Sequence, residues 1–184
     1  MSNSFNNMLV QYCSPVLAGI KTANMFTFFE KTEKTKSIIE SYNKVFNSFG
    51  ICFYILNSND NSSLIYVYRP DRLKNDLQKK YVDFFMEREG YDVCSYEKCI
   101  KRLSNRIKEK DSFPHEIGLF LSYPIQDVLG FIKNKGTNFK YCGCWKVYCN
   151  EENAKRVFCE YEKCTNLYCK RFREEKNLLK LIVN

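Results

Sequence analysis

The chain has 184 residues, of which 45% are apolar and 16% aromatic, and its formal charge at pH 7 is +8. This apolar content excludes a disordered chain, and the length suits one domain with a real core, here taken as residues 1–184. A positive charge of this size favours an acidic partner, although the sign alone does not identify the partner's class.

The N-terminal segment does not predict a signal peptide, since MSNSFNNMLV lacks a basic region followed by a sustained apolar run. No apolar stretch approaches the ~20 residues that a membrane helix needs. We therefore expect a cytoplasmic protein without a membrane partner. In that compartment its ten cysteines should be thiols rather than disulfides.

The first twenty residues predict two short helical segments. Residues 4–12 indicate a short helix or an ordered N-terminal arm. Ser14 and Pro15 then favour a new helix start, because serine caps a helix and proline is tolerated in the first turn. That second helix should end near Gly19 or Lys21.

A strand, a helix and a β-hairpin are predicted next. Residues 23–29, rich in phenylalanine, predict the strand. Residues 31–50 predict the helix, because apolar side chains recur at helical spacing as far as a terminal glycine. The runs ICFYILN and SSLIYVYRP enclose the polar turn SNDNS and predict a β-hairpin.

The sequence predicts that the second half of the chain is mainly helical. Helices are expected at about 71–89, 95–109 and 124–134, a strand at 138–150, and one long or two short helices from residue 151 onward. Residues 115–122 stay ambiguous, because short apolar runs do not distinguish strand from helix by period alone. The predicted class is α+β, with a small antiparallel sheet flanked by helices.

Six cysteines crowd the last quarter of the chain without the C-x2-C spacing typical of zinc sites. The intervening residues number one, four, nine, four and four. On a helix the last three would fan around the axis rather than converge. We expect small apolar thiols and no metal. The six are Cys142, Cys144, Cys149, Cys159, Cys164 and Cys169.

Cys13 and His115 form the candidate catalytic pair. A thiol at a helix start is readily ionised, because the free N–H groups there favour thiolate and can also donate to an oxyanion. His115 is the only histidine, and the order cysteine then histidine is that of papain-like enzymes. The plainer alternatives are a buried structural cysteine and a capping or surface histidine.

Five further side chains are candidates for the rest of the predicted site. Asp127 is the candidate to orient the imidazole, with Glu116 as the runner-up. Gln11 or Asn7 would supply an amide to the oxyanion hole, unless they only cap the N-terminal helix. Lys21 would contact a phosphate or an acyl chain, unless it is simply exposed.

The sequence predicts neither nucleotide nor nucleic-acid binding. It contains no Walker A motif, no G-x-G-x-x-G, and no RNP-like or zinc-knuckle pattern. The aromatics of residues 51–68 alternate with aliphatics, as they do in core strands. The basic run KRLSNRIKEK carries helical apolar positions and is typical of a solvated helix face.

Three segments together resemble a domain-of-unknown-function family of anaerobic Firmicutes: CSPVLAGIKTANMF, FPHEIGLFLSYPIQDVLGFIKNKG and CGCWKVY. They occur in the same order, and the resemblance covers most of the chain. It extends to the papain-like cysteine transacylases of closthioamide-type thiotemplated peptide assembly. That resemblance implies a papain-like cysteine-protease-type domain, with the triad Cys13, His115 and Asp127.

The resemblance implies a cysteine-dependent acyltransferase, or peptidyltransferase, of specialised-metabolite biosynthesis. An acidic acyl or peptidyl carrier protein would present the acyl group as a phosphopantetheine thioester. Cys13 would accept it, and a small-molecule amine would then take it to form an amide. A thioester is already activated, so no further cofactor is expected. Two alternatives stay open: a cysteine protease or amidase with the same dyad, and a non-enzymatic redox- or iron-linked binding module.

Overall fold

A computed structural model describes residues 3–109 and 113–183, and its elements confirm the α+β class. The α-helices in this part of the chain are α1 (Asn3–Leu17), α2 (Thr32–Phe46), α3 (Pro70–Leu77), α4 (Val82–Arg88), α5 (Tyr96–Glu109), α6 (Ile117–Phe120), α7 (Ile125–Asn134) and α8 (Glu151–Glu175). Short 3-10 helices lie at Asn47–Phe49 and Leu178–Leu181. In the described ranges, no helix combines the length and the apolar character needed to cross a bilayer.

Five short strands form two antiparallel sheets. The strands are β1 (Ala23–Phe28), β2 (Cys52–Asn59), β3 (Ser62–Tyr68), β4 (Tyr141–Cys142) and β5 (Lys146–Val147). The larger sheet has the order β1-β3-β2, with β2 and β3 joined as the predicted hairpin. A bulge between Ile55 and Asn57 shifts the register of that hairpin. The strand prediction for residues 23–29 and the hairpin are confirmed.

The three-stranded sheet separates two hydrophobic cores, because successive side chains point to opposite faces. On one face Phe26, Phe28 and Val67 pack with buried residues of α1, α2 and α8. On the other face Tyr66 and Tyr68 pack with residues of the helices α3 to α7. The central side chains of the two cores therefore lie on opposite sides of the sheet.

Helix α1 is continuous through Ser14 and Pro15, so the predicted helix start at these residues is wrong. Apolar side chains recur along one face of this helix from Phe5 to Leu17, and their burial outweighs the loss of one backbone hydrogen bond at Pro15. The hydroxyl of Ser14 donates to the Val10 carbonyl one turn earlier instead of capping a helix. Cys13 thus lies near the end of a helix.

Other boundaries also differ from prediction. The helix expected at 71–89 is two helices, because the backbone adopts a left-handed conformation at Tyr81. The strand expected at 138–150 contains only the two-residue strands β4 and β5, because Trp145 packs against Phe131 of α7 and Tyr141 against Phe158 of α8 rather than against a neighbouring strand. The ambiguous residues 115–122 contain the short helix α6. Helix α7 is confirmed, and α8 is one long helix.

Arg69 ties the end of α1 to the C-terminal segment. Its Nε donates to the Val16 carbonyl at 2.8 Å, and its Nη2 donates to the Leu17 carbonyl at 3.0 Å. The same Nη2 donates to the Val183 carbonyl at 2.5 Å, and the Val183 N–H donates to the Leu17 carbonyl at 3.0 Å. These bonds fix the backbone a few residues before Lys21.

Candidate functional site

Cys13 is a core residue on the α1 face of the sheet. Its side chain is 0% exposed and packs within the first of the two cores. Burial raises the pKa of its thiol far above the ordinary range, although the charge of Lys21 acts in the opposite direction. Reactive cysteines are accessible and easily ionised, and Cys13 is neither. Its placement matches the plainer alternative, a packed structural cysteine.

His115 lies on the other side of the sheet. Its ring is exposed, with its centroid 5.0 Å from that of Phe131 on α7. The next residues, Glu116 and Ile117, are buried in and beside the second core. Among the described residues no hydrogen bond joins His115 to Cys13. The structure therefore does not assemble the predicted dyad.

Asp127 does not orient His115 but supports the backbone before α8. It is 3% exposed, and its Oδ1 accepts the N–H groups of Tyr148 at 2.7 Å and Cys149 at 3.1 Å. Two backbone donors converging on one carboxylate oxygen fix the chain that leaves β5. The predicted third member of the triad is thus corrected to a structural carboxylate.

We expect Asp127→Ala to lower the free energy of unfolding by about 2–3 kcal/mol, because two backbone donors lose their charged acceptor. Urea denaturation measures this loss. The matched control is Asp71→Ala, since Asp71 also lies in the first turn of a helix but is exposed. Its loss should stay below about 1 kcal/mol, the range of a helix-dipole interaction. Equal losses for both variants would contradict the assigned role.

Glu116, the runner-up for the same role, belongs to a different buried network. Its Oε1 accepts the hydroxyl of Tyr91 at 2.7 Å and pairs with Nη1 of Arg106 at 2.9 Å. The arginine also pairs with Glu89 at 3.0 Å. This network joins α5 to the segment before α6, and His115 takes no part in its hydrogen bonds or ion pairs.

Asn7 and Gln11, the predicted oxyanion-hole amides, are both exposed on α1. Asn7 lies one turn before Gln11 and does not line the cavity described below. Gln11 lies on the rim of that cavity together with Lys21. Neither amide can form an oxyanion hole with Cys13, because the Cys13 thiol is not accessible to a substrate.

Lys21 is the most unusual charged side chain of the structure. It is only 3% exposed, and its Nζ lies 3.3 Å from the hydroxyl of Tyr123 and 3.4 Å from Oδ1 of Asn24. The same ammonium lies 4.9 Å from the ring centroid of Tyr123 and 5.4 Å from that of Tyr161. In residues 3–109 and 113–183 no carboxylate lies within 4.0 Å of it.

Local structure explains why this lysine points inward. Gly19, at φ 72°, ends the helical turn in the left-handed region that favours glycine. The Lys21 N–H then donates to the Pro15 carbonyl at 3.0 Å, and β1 begins two residues later. Asn24 donates its side-chain amide to the Tyr12 carbonyl, which leaves its Oδ1 facing Lys21.

The turn between β4 and β5 brings Cys144 to the same place. Tyr123 stacks on Trp145 with centroids 4.7 Å apart, and its hydroxyl donates to the Cys144 carbonyl at 3.4 Å. At Gly143 a Cβ atom would lie 2.5 Å from the Phe158 ring, so only glycine fits there. The Cys144 residue is exposed, unlike Cys13.

The electrostatics show that these groups form one cluster. Burial lowers the pKa of Lys21 from 10.5 to about 8. Burial also raises the pKa of Tyr123 strongly and that of Tyr161 to about 12. A charge on Cys144 raises the pKa of all three groups, each time as a smaller cause than burial. The thiol of Cys144 therefore lies within electrostatic range of each.

The cluster faces a cavity of about 300 Å³ that is open to solvent. Its lining residues are Gln11, Tyr12, Pro15, Lys21, Asn24, Tyr123, Cys144, Tyr161, Glu162, Thr165 and Asn166. A neighbouring cavity of about 200 Å³ shares the walls Tyr123 and Tyr161. We call the larger cavity the Lys21 pocket and the smaller one the side cavity. Of these two cavities, only the Lys21 pocket reaches the size range of about 300–1,000 Å³ for small-molecule sites.

The Lys21 pocket joins the three sequence segments that carry the resemblance. The first segment supplies Lys21 and Asn24, the second Tyr123, and the third Cys144. From the sequence, Lys21 was only one possible ligand contact and Cys144 only an apolar filler. The one sequence signal for this pocket is the position of Lys21 between the apolar end of a helix and the start of a strand.

The C-terminal cysteines do not converge on one point in the described part of the chain. All ten cysteines of the chain are free thiols, and several of those near the C-terminus are exposed. Within the described ranges, no three side chains of His, Cys, Asp or Glu converge as ligands for one ion. The cysteines that are close together in the sequence therefore do not form a ligand cluster in the described part of the structure.

Comparison with known proteins gives a family but no characterised relative. A family model described as "Protein of unknown function (DUF3793)" matches residues 9–182. No curated protein and no solved structure matches the chain. The matched residues include all three segments of the Lys21 pocket. Because the match spans nearly the whole sequence, the chain belongs to the DUF3793 family.

Proposed function

We propose that the Lys21 pocket binds a small molecule that carries an anionic group. The observation that carries this proposal is the buried ammonium of Lys21, which faces an open cavity and has no carboxylate within 4.0 Å in the described part of the chain. Buried charges in proteins are normally paired or neutralised. Here the neighbours are tyrosine rings, a hydroxyl and an amide oxygen.

The lowered pKa of Lys21 is consistent with a missing counter-ion. Burial makes the charged form less favourable, so the pKa is about 8 rather than 10.5. An anion bound beside Nζ would favour the charged form and raise this pKa again. The net charge of +8 would also attract anionic ligands from solution.

The remaining walls of the pocket suit recognition of one ligand. Aromatic faces supply apolar contact, while Asn24, Thr165 and Asn166 supply hydrogen-bonding groups. The Arg69 bonds and the stacked Tyr123–Trp145 pair hold the walls in place without any ligand. A pocket of this kind binds with little ordering of its own side chains.

NMR titration of lysine-labelled protein tests the proposal directly. Without added anion, the Lys21 side-chain signal should titrate near pH 8, and saturating acetate should move its midpoint toward 10.5. Lys163, an exposed lysine of α8, is the internal control and should not move. Lys21→Met identifies the signal by its loss. An unchanged midpoint at saturating acetate and phosphate would refute anion binding.

Cysteine-dependent acyl transfer is the second candidate, favoured by the exposed thiol of Cys144 in the same pocket as Lys21. In this proposal Cys144, rather than Cys13, accepts the acyl group from a carrier-protein thioester in the cytoplasm and passes it to an amine. Lys21 acts as the base in place of His115. Since Cys144 follows His115 in the chain, this site would not follow the papain-like arrangement. A hydrolase would use the same thiol with water as the acceptor.

A further inference from the structure

We infer that the ligand of the Lys21 pocket is a monocarboxylate with a short apolar chain, whose carboxylate contacts Lys21 and whose chain enters the side cavity. This inference rests on the proposed function and specifies its ligand class. It follows from the lining of the two cavities, from their shared walls and from the number of charges that face the ligand.

The side cavity offers an apolar compartment next to the ammonium. Its apolar walls are Pro124, Ala154, Val157 and Phe158 together with the two shared tyrosines, and its polar lining residues include Ser122, Asp127, Asn150 and Asn153. The Asp127 carboxylate is already occupied by two backbone N–H groups. Phe158 meets Tyr123 edge to face, with centroids 6.5 Å apart. The polar groups of Lys21, Asn24 and Cys144 belong only to the other cavity.

The shared tyrosines place the two compartments side by side. Each ring contributes to both linings, and Lys21 lies against both rings. A carboxylate beside Nζ would therefore lie against rings that also line the apolar compartment. An aliphatic chain attached to that carboxylate lies along the rings, where apolar contact replaces water.

The charge of the pocket selects a monoanion. Among the described residues that line it, Lys21 is the only cationic one, and the exposed Glu162 contributes an opposing negative charge at the rim. A dianionic phosphate would keep an unpaired charge in this setting, whereas a carboxylate is neutralised by a single ammonium. The hydroxyl of Tyr123 can donate to the same carboxylate only by releasing the Cys144 carbonyl, to which it now donates over 3.4 Å.

A chain-length series tests the inference. Acetate, butyrate, hexanoate and octanoate are titrated into the intact protein, and affinity is measured by calorimetry and by the Lys21 NMR signal. Each added methylene that enters the side cavity should increase affinity about fourfold. The increase should stop when the cavity is filled. Hexyl phosphate serves as the dianionic comparison and should bind more weakly than hexanoate.

Val157→Trp should fill the side cavity and remove the dependence on chain length while acetate still binds. The matched control is Leu167→Trp, on the same helix but outside both cavities, which should keep the full dependence. Ala154→Phe provides a second filled variant if Val157→Trp does not fold. A series without any gain, in protein that binds acetate, would overturn the inference and leave the proposed function intact. If neither the acids nor hexyl phosphate bind, both the inference and the proposed function are refuted, whereas binding of hexyl phosphate alone overturns only the inference.

Discussion

Replacing Lys21 by methionine should raise the free energy of unfolding at pH 7 by about 2 kcal/mol and abolish acetate binding. Methionine keeps the length of the side chain but removes a buried charge that lacks a counter-ion. Replacing buried charged groups by apolar ones of similar volume is often stabilising by about 1–4 kcal/mol. A residue whose removal stabilises the fold but eliminates a ligand is retained for binding rather than for structure.

The pH dependence of stability gives a second measure of the same effect. The folded-state pKa of Lys21 is lowered to about 8 from 10.5, so between these pH values the unfolded chain binds more protons. The stability of the wild type relative to Lys21→Met should therefore rise from pH 8 to pH 10.5 and stay at its lowest below pH 8. Denaturant titrations of both proteins across this range measure the difference.

The control for this prediction is an exposed lysine. Lys163→Met, on the surface of α8, should change the free energy of unfolding by less than about 0.5 kcal/mol at any of these pH values. If Lys21→Met instead destabilises the protein by several kcal/mol at pH 7, the ammonium contributes to the fold. The interpretation of Lys21 as a ligand-binding cation would then be wrong.

Acylation by an acyl-pantetheine thioester should occur on Cys144 and leave Cys13 unmodified. In the proposed step, neutral Lys21 accepts the thiol proton and the Cys144 sulfur attacks the thioester carbonyl. The carbon–sulfur bond of the donor then breaks, and pantetheine leaves as a thiol with the proton from Lys21. The acyl group remains on Cys144 as a thioester, so no other reactant is needed. Intact-mass spectrometry and peptide mapping locate the adduct.

The variants separate a specific site from general thiol reactivity. Cys144→Ser should lose the adduct, and Lys21→Met should slow its formation about 10²-fold because proton transfer is lost. Cys13→Ala and His115→Ala should react at the wild-type rate. Cys142→Ser is the matched control, since Cys142 is an exposed thiol on the same hairpin. Equal acylation of Cys142 and Cys144 would contradict the assigned role.

The fate of the adduct distinguishes a transferase from a hydrolase. A small amine should discharge acyl-Cys144 as an amide faster than water discharges it as an acid, if the pocket admits the amine and limits water. Release of the free acid at every amine concentration would assign the chain to the hydrolases. Absence of any adduct would leave only the binding function of the Lys21 pocket.

The elements that sequence predicted well are those set by neighbouring residues. The hairpin of β2 and β3 and the helix α7 follow from local alternation, helical spacing and turn residues. Pro15 was misleading because proline is most familiar at helix starts, whereas the apolar face of α1 carries the helix past it. Local patterns do not show how much a long-range contact contributes to stability. Here the packing of α1 against the sheet determines that the helix continues through Pro15.

The site was harder to predict than the fold because it depends on which side chains share one face. Cys13 and His115 are separated by the sheet, a relation set by strand order and register rather than by spacing. Lys21 becomes unusual only when Tyr123 and Tyr161, more than a hundred residues away in sequence, cover it. The three segments that carry the resemblance nevertheless contained Asn24, Tyr123 and Cys144, which surround Lys21 together with Tyr161.

The bonds of Arg69 to both α1 and Val183 have a consequence for biosynthesis. Arg69 and Val183 are 114 residues apart in sequence, and α8 covers the face of α1 and β1. During translation, the part of the first core that Tyr168 and Phe172 of α8 cover is exposed until that helix leaves the ribosome. Contacts over such separations slow folding and prolong the exposure of aggregation-prone surface. We expect nascent chains stalled before residue 151 to bind chaperones and to lack the Lys21 pocket.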